Sequence, residues 1–94
     1  MSARKSILHL TLKSEFFAQI VAGTKRIEYR ERKKHWKTRL ENRRYDVIQF
    51  RNGYGAHVPE MTVEFLGIRR YPTYYAIRLG RILSPKRWKK KPPR

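Results

Sequence analysis

The chain has 94 residues, enough for one compact domain and too few for two. Its 24 Lys and Arg against 7 Asp and Glu give a net charge of +17, while 39% hydrophobic and 13% aromatic residues supply a core; this composition argues against disorder and favours a polyanionic partner over an anionic membrane. No apolar run approaches the roughly 20 residues that span a bilayer, and the absence of cysteine excludes disulfides and thiolate metal sites.

The segment "ILHLTL", residues 7–12, alternates Leu8, Leu10 and Leu12 with Ile7, His9 and Thr11, the pattern of a half-buried strand. In "SEFFAQIVAG", Ser14 is a candidate cap, Glu15 suits the first turn, and Phe16, Phe17, Ile20 and Val21 form one apolar stripe that Gly23 can terminate, so a helix is predicted. The next run, "KRIEYRE", alternates again, with Ile27 and Tyr29 on one face and Arg26, Glu28 and Arg30 on the other. It reads as a second strand.

Residues 32–44, "RKKHWKTRLENRR", have no sustained period and read as a basic connector, with Trp36 and Leu40 four apart to pin one short helix to the core. "YDVIQFR" is a strand and "NGYGAHVP" a turn-rich loop. "EMTVEFLGIRRY" is a strand with Met61, Val63 and Phe65 on one face and a candidate bulge at Gly67. In the last predicted strand, "YYAIRLGRIL", Tyr75, Ile77 and Leu79 share a face. The fold class that follows is α+β: a small curved sheet of about five strands closing towards a β-barrel, with one main amphipathic helix and a short second helix. Residues 1–83 form the expected domain, and 84–94, rich in proline and basic charge, a C-terminal arm.

Within "AGTKRIEYR", residues 22–30, Gly23, Lys25, Glu28 and Arg30 stand in the spacing GxKxxExR. Together with a preceding "LHLTLK" strand, an amphipathic helix ending in glycine and a following run of strands, this pattern resembles the ASCH family, small relatives of the PUA-like RNA-binding fold. The resemblance covers most of residues 7–83. It implies a small single-domain bacterial or phage protein, built as a PUA-like barrel with a cleft beside the motif and associated with RNA or modified nucleosides.

Physical chemistry gives the same four positions two readings. Gly23 in a left-handed cap lets the chain reverse from helix to strand, Lys25 then offers a mobile charge for phosphate, and Arg30, two residues along one strand face, can hold the Glu28 carboxylate ionised towards a nucleobase. In the plainer reading Glu28 and Arg30 are an ion pair in the barrel wall and Gly23 is only a cap.

Candidate RNA contacts are Lys13, Lys25, Arg26 and Arg30 around the motif, and Lys33 and Lys34 in the connector. Arg51 and Tyr54 flank or occupy the glycine loop, where Tyr54 either stacks on a base or folds back on the barrel. Arg69 and Arg70 precede the "YPTYY" turn. Arg87, Trp88 and Lys89 belong to the arm, with Trp88 either stacking on a base or covering the barrel end. Large structured RNA, ribosomal RNA included, suits a chain that is basic along its whole length, and single-stranded RNA suits its aromatic side chains. Phosphate charge alone does not separate RNA from DNA.

The resemblance also brings two activities to be weighed. An acetylcytidine amidohydrolase branch uses a lysine, a threonine nucleophile and a glutamate; here Lys25 matches, but Glu28 stands where the threonine belongs and Thr24 lies in the turn. A ribonuclease would take Lys25 for charge and Glu28 as the base, with Tyr45, Tyr54 or His57 beside them. The expectation is therefore a monomeric RNA-binding domain in the cytoplasm, without metal or cofactor, with a ribonuclease as the alternative. A small basic regulator that occupies a protein or nucleoprotein partner is the second alternative.

Overall fold

Three leucines on alternate positions of residues 7–12 give one apolar face. In the computed structural model, which describes residues 6–86, Leu8, Leu10 and Leu12 are all buried there. The chain runs β1 (Ile7–Leu12), α1 (Ser14–Val21), β2 (Ile27–Glu31), α2 (Lys34–Leu40), β3 (Val47–Asn52), β4 (Glu60–Arg70) and β5 (Tyr74–Lys86). The five strands form one sheet in the order β1-β3-β4-β5-β2, curled into a half-barrel. β1 runs parallel to β3, and every other neighbouring pair is antiparallel. A parallel pair needs a long crossover, and the segment carrying α1, β2 and α2 supplies it.

The predicted elements are present, with local differences. Ser14 is the first helical residue rather than the cap; the N-cap is Lys13, in extended conformation and without a side-chain cap bond. At the other end Gly23 takes φ 83°, its N–H donates to Ile20 O (3.0 Å), and Thr24 N–H donates to Gln19 O (3.0 Å). These two bonds are a Schellman closure, which turns the chain directly from α1 towards β2. α1 buries Phe17 and Ile20, each contributing about 2 kcal/mol by removal from water.

The inner face of the half-barrel collects Ile48, Phe50, Met61, Val63, Tyr75 and Ile77, and Leu40 of α2 is buried in the same cluster. Gly67, at φ 117°, stands at a register shift in the β4–β5 ladder, as its position in "EFLGIRR" predicts; two further shifts lie earlier in β4. β5 continues to Lys86, so its last residues fall within the segment expected to form the arm. Arg87, Trp88 and Lys89 lie outside the described residues. No helix among the described residues is long and apolar enough to cross a membrane.

Candidate nucleic-acid interface

The sheet ends in two edge strands, β1 and β2, and the gap between them is a cleft. Thr11 and Leu12 come from β1, Glu28 to Glu31 from β2, Phe16 from α1, Trp36 from α2, and Asn52 to Tyr54 from the end of β3 and its loop; together they enclose about 830 Å³. Lys13 and Lys33, both exposed, stand on its lining.

β2 turns Glu28 and Arg30 inward and Ile27 and Tyr29 outward. Its register opposes Arg30 to Tyr75 and Glu28 to Ile77, both fully buried on the inner face. Glu28 is only 6% exposed, whereas Ile27 and Tyr29 are 37% and 52% exposed. An edge strand beside an open seam tolerates this inversion, because its inner charges reach the cleft instead of hydrocarbon alone.

Burial of a carboxylate still requires compensation, and each oxygen of Glu28 has its own cation. Arg30 Nη2 donates to Glu28 Oε2 at 2.6 Å, and Lys25 Nζ lies 3.3 Å from Oε1. The Lys25 ammonium also sits over the rings of Phe16 (5.3 Å) and Tyr29 (5.5 Å). Arg30 does more than pair: its Nη2 donates to Thr11 O at 3.1 Å, tying β2 to β1 across the seam, and its guanidinium lies 5.0 Å from the Trp36 ring centroid. Its Nε–H is buried without an acceptor, a spare donor in the cleft wall.

Tyr54 is 85% exposed at the mouth, so of its two readings the exposed ring is the one present. Gly53 makes this placement possible: at φ 90° it reverses the chain while its N–H donates to Leu12 O (3.1 Å), fastening the loop to the end of β1. Arg51 is occupied with the loop, donating to Gly55 O. His57 is exposed in the same loop.

The cleft thus gathers Lys13, Glu28, Arg30, Lys33 and Tyr54, with Lys25 bonded to its carboxylate from a neighbouring groove that Arg26 also lines. The other candidates lie elsewhere. Lys34 begins α2, Arg69 is on the outer face of the sheet, and Arg70 pairs with Glu41 at 3.3 Å. Trp36 packs against the core, as its spacing from Leu40 predicts, and it also lines the cleft; Tyr29, to which the sequence assigns no role, lines the cleft as well. The usable signals were the basic setting of Trp36 and the position of Tyr29 between two charged residues.

Compared with known proteins, the chain matches no family model and no curated protein. The reading of the site rests on its own residues.

Proposed function

We propose that the protein is an ASCH-type, PUA-like domain that binds RNA in the cleft between β1 and β2. The observation that carries this reading is the joint position of Lys13, Lys33, Tyr54 and Trp36 around the paired Glu28 carboxylate. Cations at the lip take phosphates, the exposed Tyr54 ring takes an unpaired base, and the inner polar groups meet a base edge.

Catalytic readings gain less from the geometry. As a general base, Glu28 would have to use the lone pairs left on oxygens that each already hold a cation. For the amidohydrolase, Thr24 is an exposed turn residue whose hydroxyl donates to Gln19 O at 3.1 Å.

The test is incubation of purified protein with end-labelled single-stranded and hairpin RNA, with and without EDTA, reading retention and cleavage from the same samples. The expected result is intact, shifted RNA, with the slope of log affinity against log salt falling by about 1.4 in Lys13→Ala/Lys33→Ala if each lysine neutralises one phosphate. Discrete products that co-purify with the protein and vanish in Lys25→Ala would make it a ribonuclease instead. No RNA retention, together with a cellular partner that survives nuclease treatment, would favour the protein-directed regulator.

A further inference from the structure

The outward face of β2 continues onto β5 and β4, and there the strand register sets out a second surface. Tyr29 lies opposite Ala76, which lies opposite Arg69; in the next row Ile27 lies opposite Arg78, which lies opposite Gly67. The small side chain at 76 and its absence at 67 leave a groove of about 280 Å³, lined by Ile27, Arg69, Tyr71, Ala76 and Arg78. That is near the lower end of ligand-pocket sizes, about 300 Å³.

Three rings lead to this groove from the cleft. Tyr29 lines the cleft and meets Tyr74 edge-on at 5.4 Å; Tyr74 stacks on Tyr71 at 4.7 Å with planes 19° apart. The β4–β5 hairpin fixes the last two, since Tyr71 N–H donates to Tyr74 O (2.9 Å) and Arg32 Nη1 donates to Tyr71 O (3.1 Å). Arg69 and Arg78 are exposed and make no ion pair among the described residues. Glu31, in the row of Tyr74, is paired with Lys33 at 3.3 Å. The face therefore offers aromatic rings beside uncompensated positive charge, complementary to an unpaired nucleotide and its phosphates.

We propose that this outer face is a second RNA site, which takes a single strand as it leaves the cleft. A base stacks on the Tyr29–Tyr74–Tyr71 run, and adjoining phosphates lie on Arg69 and Arg78. The proposal extends the cleft reading by giving the same strand a path, and it favours single-stranded over duplex RNA, because pairing hides the base faces that the rings require.

Fluorescence anisotropy with a labelled 12-nucleotide single strand and a blunt duplex of equal length tests it, on Tyr71→Leu, Tyr71→Phe, Arg69→Gln/Arg78→Gln and the cleft variant Lys13→Ala/Lys33→Ala, each checked for an unchanged thermal midpoint. Loss of one stacked base predicts about tenfold weaker single-strand binding by Tyr71→Leu, with duplex binding unchanged. Tyr71→Phe, which keeps the ring, binds as the parent does, and the arginine pair weakens the single strand more than the duplex. Wild-type affinity of Tyr71→Leu for the single strand, or equal losses on both RNAs, overturns the proposal. So does a free protein that sediments as a dimer which Tyr71→Leu dissociates, since the face would then join two copies. If Tyr71→Leu loses affinity while the cleft variant does not, the cleft reading fails and the outer face stands; the reverse result removes the outer face and leaves the cleft.

Discussion

Two acids are held by cations inside this molecule, and they serve different ends. Glu28 sits at the open seam, one oxygen on Arg30 and the other on Lys25, with a cleft in front of it. Glu41 caps the end of α2, accepting the Tyr75 hydroxyl at 2.5 Å, with Arg70 at 3.3 Å and Arg32 at 4.0 Å. The chemistry is nearly the same; the surroundings differ. Glu41 joins a helix to a fully buried residue of β5 and works as a clamp, whereas the Glu28 cluster joins two sheet edges and presents what remains of its polar surface to the cleft. Charge pairing alone does not mark a binding site, and pairing at a gap in the sheet is the more informative observation.

The largest expected effect is on stability at Glu28. Glu28→Ala leaves Lys25 and Arg30 facing each other, both largely enclosed, and removes the seam's charge balance. Because both cations keep some solvent contact, the expected loss is about 3 kcal/mol, the low end for breaking a buried pair. Urea denaturation at neutral pH measures it, and an unchanged midpoint would mean that the seam is held by something other than this cluster.

The clamp predicts a pH signature. The Tyr75 hydrogen bond, followed by the charges of Arg70, Lys37 and Arg32, holds the Glu41 carboxyl below its ordinary value of 4.5, against the opposing effect of burial. A depressed folded pKa contributes stability that is present above the unfolded value and is lost as pH falls through the folded one. Urea midpoints of the parent should therefore drop below about pH 4.5, and Glu41→Gln should flatten that drop while losing less at neutral pH than Glu28→Ala, since the amide oxygen can still accept from Tyr75. The same bond acts on the other partner: burial first, then Glu41, raises the Tyr75 phenol above 10.0, so its contribution is present below that value and is lost as pH rises beyond it. Tyr75→Phe should abolish this alkaline component.

A smaller effect is expected at Gly23, whose turn leads the chain to Lys25. A side chain there meets nothing within 4 Å, so Gly23→Ala tests only the left-handed backbone at φ 83°. Strain of about 1 kcal/mol should appear as a lowered thermal midpoint. If the Schellman turn positions Lys25 for Glu28, RNA affinity should fall as well; a stability loss with unchanged affinity would assign the glycine to capping alone.

How much of this was legible in the sequence follows from what each residue depends on. The burial of Leu8, Leu10, Leu12, Phe17 and Ile20 is fixed by local periodicity and needs no knowledge of neighbours. The Gly23 turn is similarly local. The orientation of β2 is not, because alternation of Ile27 and Tyr29 with Glu28 and Arg30 is symmetric between faces, and only its place at the end of the order β1-β3-β4-β5-β2 puts the charges at a gap. Trp36 was identifiable as an anchor of α2 against Leu40, but its contact with Arg30 depends on two elements meeting across the seam. The Tyr75–Glu41 bond spans 34 positions and has no local signature.

Tyr54 gives the smallest effect on stability and the sharpest separation of site from scaffold. Among the described residues its ring is the most exposed of the large hydrophobic side chains, in a loop whose backbone is fastened by Gly53 to Leu12 and whose carbonyl at Gly55 accepts from Arg51. None of those bonds uses the phenol ring, so Tyr54→Ala should change stability by less than about 0.5 kcal/mol. If a base stacks there, the same variant should lose about 1–3 kcal/mol of single-stranded RNA binding, read by anisotropy beside a urea titration of the same sample. A clamp residue such as Glu41 should show the opposite profile, with stability falling and affinity retained in whatever fraction stays folded. An exposed aromatic whose removal altered neither quantity would separate Tyr54 from the cleft's function and leave Trp36 and Tyr29 as the rings available to a base.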